Sequence, residues 1–523
     1  MILRKILTLI VAITMPAAPF MRASGPVMSD SVDNAISRLW QTEDLSLTLQ
    51  QRAVEFNAAA MTFSLPFSLT TLQATGISSR TAATLPAQLG DGELSGSLRA
   101  DSYHHLTPAT TVWGHAEFSA GKVRNVLWNN SADYTLVAPY VIGDPTGGDL
   151  TGRSYDFGGG YAGRKAGWLW GLMAGYRAAI DYRGRDPRDK IIVSDLDVSA
   201  GGAYIPPHTG FAIGLSVKLR AYSQTASIEF YNPLNDIPTY AMTGLGTYYP
   251  RFSGNSGRNT AYSGVGYGFT LSLSPATTQS VSPFYAIIGF DRMSMRQFMR
   301  DFNNLELTRT RATTLSFEGG AVRSLTGDAA YGLTIKASHY SKTGTENLLG
   351  TSTGNSYPKI GERDNYSLKH TCIALDLPVQ LTRGVDRYKG SVSLGWDNLT
   401  QKVIDPVRQT AANDIIPRLT GEWSHRFAKG ASLTIEAGYS YRFSNPGKII
   451  LTGLDTTSPL GEAVLRDIDL MTSDAGSYGI AVNTAIPVTG GGGVTVTASW
   501  HRIDMSRRCG SADRFTLTLG FAL

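Results

Sequence analysis

From Asp513 to Leu523 the chain places Phe515, Leu517, Leu519, Phe521 and Leu523 at every second position, with Thr516, Thr518, Gly520 and Ala522 between them. A period of two is that of a β-strand with one greasy face and one small, polar face. The same alternation begins at Met61, Phe63, Leu65, Phe67 and Leu69. It then predicts strands near 94–102, 110–121, 155–164, 168–182, 193–205, 211–223, 261–273, 281–291, 312–324, 329–341, 370–382, 387–399, 414–427, 431–444, 477–487, 493–503 and 513–523. Most have the length a tilted strand needs to cross a hydrocarbon layer, about 9–11 residues.

The links between these strands alternate in length. Those at 103–109, 165–167, 206–210, 274–280, 325–328, 383–386, 428–430 and 488–492 are short and carry turn chemistry, as in Pro206-Pro207-His208-Thr209-Gly210 and Gly490 to Gly493. Those at 122–154, 224–260, 342–369 and 445–476 are long and rich in Asn, Gly, Pro and Thr. Short periplasmic turns alternating with long extracellular loops are the signature of an outer-membrane barrel, whereas a soluble sandwich has no reason to sort its loops. The fold class that follows is all-β: a transmembrane antiparallel up-and-down β-barrel of about 18 strands, within a range of about 14–18, after a short N-terminal helical segment.

Side-chain parity assigns the faces. Over 431–444, Leu433, Ile435, Ala437, Tyr439, Tyr441 and Phe443 point one way, and Glu436 and Arg442 the other. A charge on the lipid face costs roughly 2–4 kcal/mol at mid-depth for a basic residue, so the apolar set faces lipid. Trp168, Trp170, Trp423 and Phe427 then form one aromatic rim, and Tyr439, Tyr441 and Phe443 the other. Lys218, Arg220, Glu318, Lys336, Asp376, Arg418, Glu422, Arg426, Glu436 and Arg442 project into the lumen. They either line a polar pore and set its selectivity or pair across strands and rigidify a filled interior.

Composition suits this picture: only 17% of the 523 residues are charged, 56 are glycine, and tyrosine (24) outnumbers phenylalanine (19). The N-terminus reads as a signal peptide over 1–24, with Arg4 and Lys5 ahead of the apolar Ile6 to Met15 and small residues after it. Segment 25–60 is helical and periplasmic or luminal, and 61–523 is the barrel. In that segment Val32, Ile36, Leu39 and Trp40 form one apolar stripe behind Ser31 as N-cap, a second helix runs over 43–60, and the stripe is a candidate lumen plug. Gly264, Gly266 and Gly268 offer an inward surface without side chains against which it could lie.

Candidate chemistry is sparse. His104, His105, His115, His208, His339, His370, His425 and His501 form no catalytic motif, so no catalytic residue is assigned. Cys372 and Cys509, 137 residues apart, build neither a disulfide framework nor a zinc site. Asp144 and Asp149 in Gly143-Asp144-Pro145-Thr146-Gly147-Gly148-Asp149 could serve calcium, but Asp-Pro and Gly-Gly are turn formers, and turn chemistry is the preferred reading. No metal or cofactor is assigned. The net charge of +5 falls to about +2 without Arg4, Lys5 and Arg22, and no basic patch interleaved with aromatics points to nucleic acid.

The loop motifs Trp128-Asn129, Pro139-Tyr140, Gly143-Asp144, Gly147-Gly148 and Tyr155, followed by Tyr182 and Asp186-Pro187-Arg188, resemble those of an uncharacterised outer-membrane β-barrel family of Bacteroidota. The terminal strand is similar to those read by barrel-insertion machinery. The resemblance implies an outer-membrane location and no ligand. The partners that follow are outer-membrane lipid, the insertion machinery and, in an assembly, a lipoprotein or TonB-dependent transporter. The leading function is a non-enzymatic barrel, either a porin-like channel or the membrane part of an uptake or export assembly. A barrel-embedded lipid or peptide hydrolase and an adhesive barrel with binding loops are the alternatives.

Overall fold

The alternating strands close on themselves. The computed structural model describes residues 35–523 apart from 82–84, 233, 235–236, 255–258, 278–282, 327, 353, 355–356 and 507–508. The signal sequence, Ser31 and Val32 fall outside the described residues. The first nine barrel strands are β1 (Leu69–Thr81), β2 (Gly92–Thr107), β3 (Thr110–Val126), β4 (Gly148–Lys165), β5 (Trp168–Arg183), β6 (Arg188–Tyr204), β7 (Phe211–Glu229), β8 (Thr260–Pro275) and β9 (Phe284–Met299). The other nine are β10 (Leu305–Thr326), β11 (Ala329–Leu349), β12 (Lys359–Arg383), β13 (Asp386–Val403), β14 (Arg408–Arg426), β15 (Ser432–Pro446), β16 (Ala475–Pro487), β17 (Gly493–Met505) and β18 (Ser511–Ala522). Each pairs antiparallel with the next, and β18 returns to β1 with Thr75 opposite Thr518, giving a closed barrel of 18 strands. Closure leaves no unpaired edge, which a strand in hydrocarbon cannot tolerate.

The faces follow parity. On β18, Phe515, Leu517 and Leu519 are each more than half exposed, while Thr516 is buried inward. Exposed Trp168 and Trp170 stand beside the short β4–β5 turn, and exposed Tyr439 and Phe443 lie toward the opposite end. An exposed apolar belt on a closed barrel is the lipid-facing surface of a membrane protein of the outer-membrane type.

Three sequence expectations are corrected. Residues 61–68 are not a strand: Ala58–Phe63 is a 3₁₀ helix capped by Asn57, its apolar side chains pack inside the barrel, and the first strand runs from Leu69 to Thr81, where none was predicted beyond Leu69. The link 342–369 is mostly strand, because β11 and β12 run to 21 and 25 residues and rise beyond the bilayer, leaving 350–358 as the loop. His104 and His105 belong to β2, not to a turn.

Candidate functional site: a lumen closed at both ends

At the short-turn end the N-terminal segment enters the barrel as α1 (Ala35–Gln41) and α2 (Leu45–Val54), followed by the 3₁₀ turn. Asp44 caps α2, and Glu55 to Asn57 interrupt the longer helix expected over 43–60. Ile36 and Leu39 are buried against Leu65, Leu69, Tyr103 and Ala485, whereas Trp40 is half-buried under the Arg387 guanidinium, 4.1 Å from its ring. The glycines expected to receive this segment do not. Met293 and Met295 cover Gly264 and Gly266, and Asp291 covers Gly268. Other glycines admit it: a Cβ on Gly171 would lie 2.3 Å from the Ala58 carbonyl carbon, and one on Gly493 2.1 Å from Ile36 Cδ1.

Polar bonds from inward positions hold the segment. Arg52 makes a two-pronged pair with Glu318 at 2.6 and 2.9 Å, and Lys336 and Tyr285 meet the same carboxylate at 3.4 and 2.8 Å. Arg387 donates to Glu43 at 2.5 Å and to the Trp40 carbonyl at 3.0 Å. Burial pushes the Glu43 carboxyl above its usual range, outweighing Arg387 and Lys389. Gln380 accepts from Leu45 N–H at 2.9 Å and donates to Asp44 at 2.8 Å, while Arg426 donates to Ser37 at 2.6 Å.

At the long-loop end the loop after β3 turns inward. Trp128, Val137, Tyr140, Val141 and Ile142 are buried, and Ile142–Gly143 starts a small sheet with Tyr240–Gly244 and Thr247–Tyr248. The Tyr140 carbonyl accepts from Tyr262 on β8 at 2.9 Å, and Lys342 on β11 donates to the carbonyls of Leu136, at 2.9 Å, and Ala138. Asp144 does not present itself to calcium: buried Arg183 bonds it at 2.8 Å and Asp189 at 2.9 Å, and Asp149 pairs with Lys122 at 2.6 Å. Helix α3 (Pro459–Thr472), capped by Ser458, completes this closure, and Arg442 on β15 donates to the carbonyls of Leu470 at 2.9 Å and Ser473 at 2.5 Å. A narrow pocket separates α3 from Trp128, Tyr134 and Tyr366. At its wall Asp467 accepts, among the described residues, one bond, from Gln88 at 3.4 Å, and burial raises its carboxyl to about 7.

The remaining lumen charges are spread around the wall. Lys218 pairs with Asp197 at 3.1 Å, Arg220 with Asp195 at 2.6 Å and Glu422 with Lys389 at 2.8 Å. Asp376 accepts from Ser391 and Ser393, Arg418 stands across from Ser393, and Glu436 stands across from Glu422. The latching residues Arg387, Gln380, Arg183 and Lys342 were not singled out from the sequence. Inward parity at strand ends is the signal that marks them. Of the histidines, His370 meets Cys372 and Asp397, while His115 pairs with Asp156 at 2.7 Å and His425 with Asp386 at 2.9 Å.

Solved structures similar to this chain include a receptor, an outer-membrane transporter and a FadL homologue. The ferric preacinetobactin receptor BauA of Acinetobacter baumannii is 8% identical over 87% of this chain and 80% of its own, with a TM-score of 0.37. The transporter YddB of Escherichia coli is 7% identical over 87% and 81%, with a TM-score of 0.39. A Pseudomonas aeruginosa FadL homologue is 13% identical over 91% and 95%, with a TM-score of 0.33. Among curated proteins no sequence matches. A family model described as a family of unknown function, DUF6850, matches residues 58–523, from the 3₁₀ turn through the last barrel strand. The chain belongs to that family.

Proposed function

We propose that the protein is a non-enzymatic, gated barrel of the outer membrane that passes a solute, alone or within an uptake or export assembly, and that its N-terminal segment is the inner gate. The observation that carries this reading is how α1 and α2 are held. They join no strand of the wall: apolar packing of Ile36, Leu39, Leu45 and Leu49, one backbone bond from Ala35 to Gly491, and side-chain bonds to Glu318, Gln380, Arg387 and Arg426 hold them. A barrel of 16–18 strands encloses a water-filled channel unless something fills it. Partly exposed ion pairs such as Arg52–Glu318 contribute only about 0–1 kcal/mol each and can be released one by one, while the wall's hydrogen-bond ladders stay intact. The outer route runs beside α3, where the pocket meets Asp467, whose Oδ1 has no hydrogen-bond partner among the described residues.

Swelling of proteoliposomes in small sugars tests the reading. The intact protein should admit solute slowly, and an Arg52→Ala, Arg387→Ala double variant about tenfold faster, as loss of about 1.4 kcal/mol of latching implies. A folded double variant as tight as the intact protein would contradict gating and favour an adhesive or structural barrel.

A further inference from the structure

Just inside the outer closure, three side chains of different chemistry aim their donor atoms at one point. His370 and Cys372 are two residues apart on β12 and share its inward face, and Cys372 stands directly across from Asp397 on β13. Cys372 Sγ lies 3.1 Å from His370 Nε2 and 3.4 Å from Asp397 Oδ1, and those same nitrogen and oxygen atoms also meet each other. His370 and Asp397 are buried, while Cys372 is half-buried. Tyr366, Leu368, Leu399 and Met471 close the apolar layer on the outer side.

This geometry separates two chemistries. A thiol nucleophile activated by an imidazole and an acid needs both ring nitrogens, one facing sulfur and the other facing the carboxylate. Here Sγ lies nearer Nε2, at 3.1 Å, than Nδ1, at 3.8 Å, and Nε2 is also the nitrogen that meets Asp397, so the three donors converge on one point. Around a tetrahedral ion with bonds of about 2.0–2.3 Å, donor atoms sit roughly 3.3–3.6 Å apart. The two separations from Sγ come within about half an ångström of that, whereas His370 Nε2 and Asp397 Oδ1 are hydrogen-bonded to each other, a contact that an arriving ion must open.

The surroundings suit a cation. Across β13, Asp397 is opposed by buried Asp414 on β14, which accepts from Ser444 at 2.8 Å. Two carboxylates beside a thiol favour a cation over an anion as the occupant.

We infer that His370, Cys372 and Asp397 bind one divalent transition-metal ion of the zinc class, with the fourth position open to water or an incoming ligand on the half-buried Cys372 side. Thiolate and imidazole favour zinc-class ions over magnesium or calcium, which prefer oxygen donors. The site is independent of the proposed gating.

The purified full chain in detergent, stripped with a chelator, is titrated with Co²⁺ and then Zn²⁺. One Co²⁺ per chain should bind with a thiolate-to-cobalt charge-transfer absorption, and Zn²⁺ should abolish it. Cys372→Ser and His370→Gln should each remove the absorption and weaken binding by more than the ~100-fold typical of losing an outer-shell partner, while Cys509→Ser should keep both. A measurement that needs no ligand variant is alkylation of Cys372 in Cys509→Ser protein, which Zn²⁺ should block. Absorption surviving both substitutions, no stoichiometric binding by the folded barrel, or alkylation unaffected by Zn²⁺ would overturn the inference.

Discussion

At the scale of single residues, the two closures differ in how their charges are treated. Arg183 sits between Asp144 and Asp189 with all three side chains essentially unexposed, so removing the guanidinium strands two carboxylates. Arg183→Met should destabilise the outer closure by about 3–5 kcal/mol, the cost of breaking a buried pair, measured by urea unfolding followed through tryptophan fluorescence. Loss below about 0.5 kcal/mol, as at an ordinary surface site, would show that the triad does not hold the loop. Asp467 supplies the pH dependence. Its carboxyl rises from an ordinary 3.8 to about 7, so between those values the docked state binds more protons than the undocked one. Docking of α3 is therefore favoured most below about pH 4, weakens as pH rises through 7, and is flat above that. Proteolysis of the 447–474 loop should accelerate from pH 5 to pH 8 in the native protein and not in Asp467→Asn. Equal acceleration in both would remove Asp467 from the account.

At the scale of elements, what the sequence made legible depended on whether a period had one meaning. Strands such as β15 and β18 follow parity throughout, because a wall between lipid and lumen rewards every second residue. The stretch Met61 to Leu69 carries the same alternation but ends a 3₁₀ turn at Phe63 and runs on irregularly to Leu69, since a segment packed inside a barrel buries apolar residues whatever their spacing. The glycine stripe at 264–268 was identified as inward, but long Met293 and Met295 side chains fill it, and sequence parity gives no measure of side-chain reach. At Gly171 the wall meets the backbone of the segment, at Ala58 and Ala59. Gly171→Val should displace the 3₁₀ turn while leaving β5 paired, raising solute entry without changing the strand signature in circular dichroism. A folded variant with native permeability would show that the contact is not part of the closure.

At the scale of the whole molecule, the alternation of loop lengths foretold the barrel and the period-two runs its size of about 18 strands, with the first strand misplaced, whereas the filling of the lumen rests on contacts far apart in the chain. Gln380 with Leu45 and Arg426 with Ser37 are separated by more than 300 residues, and no local pattern announces them. His370 and Cys372 are visible as a pair in the sequence, but Asp397 joins them only through the β12–β13 register. Orientation can be checked with single cysteines in a Cys372→Ser, Cys509→Ser background: Gly453→Cys should react with an impermeant thiol reagent on intact cells and Gly491→Cys should not. Labelling of both alike would reverse or dissolve the assigned sides. The central claim, that the N-terminal segment closes the barrel, is tested most directly by single-channel conductance in planar bilayers with and without residues 26–57. Removing them should raise the conductance of a closed or flickering protein, with the outer closure setting the level reached, because the latches on Glu318, Gln380, Arg387 and Arg426 lose their partners. The same conductance from both proteins would contradict it.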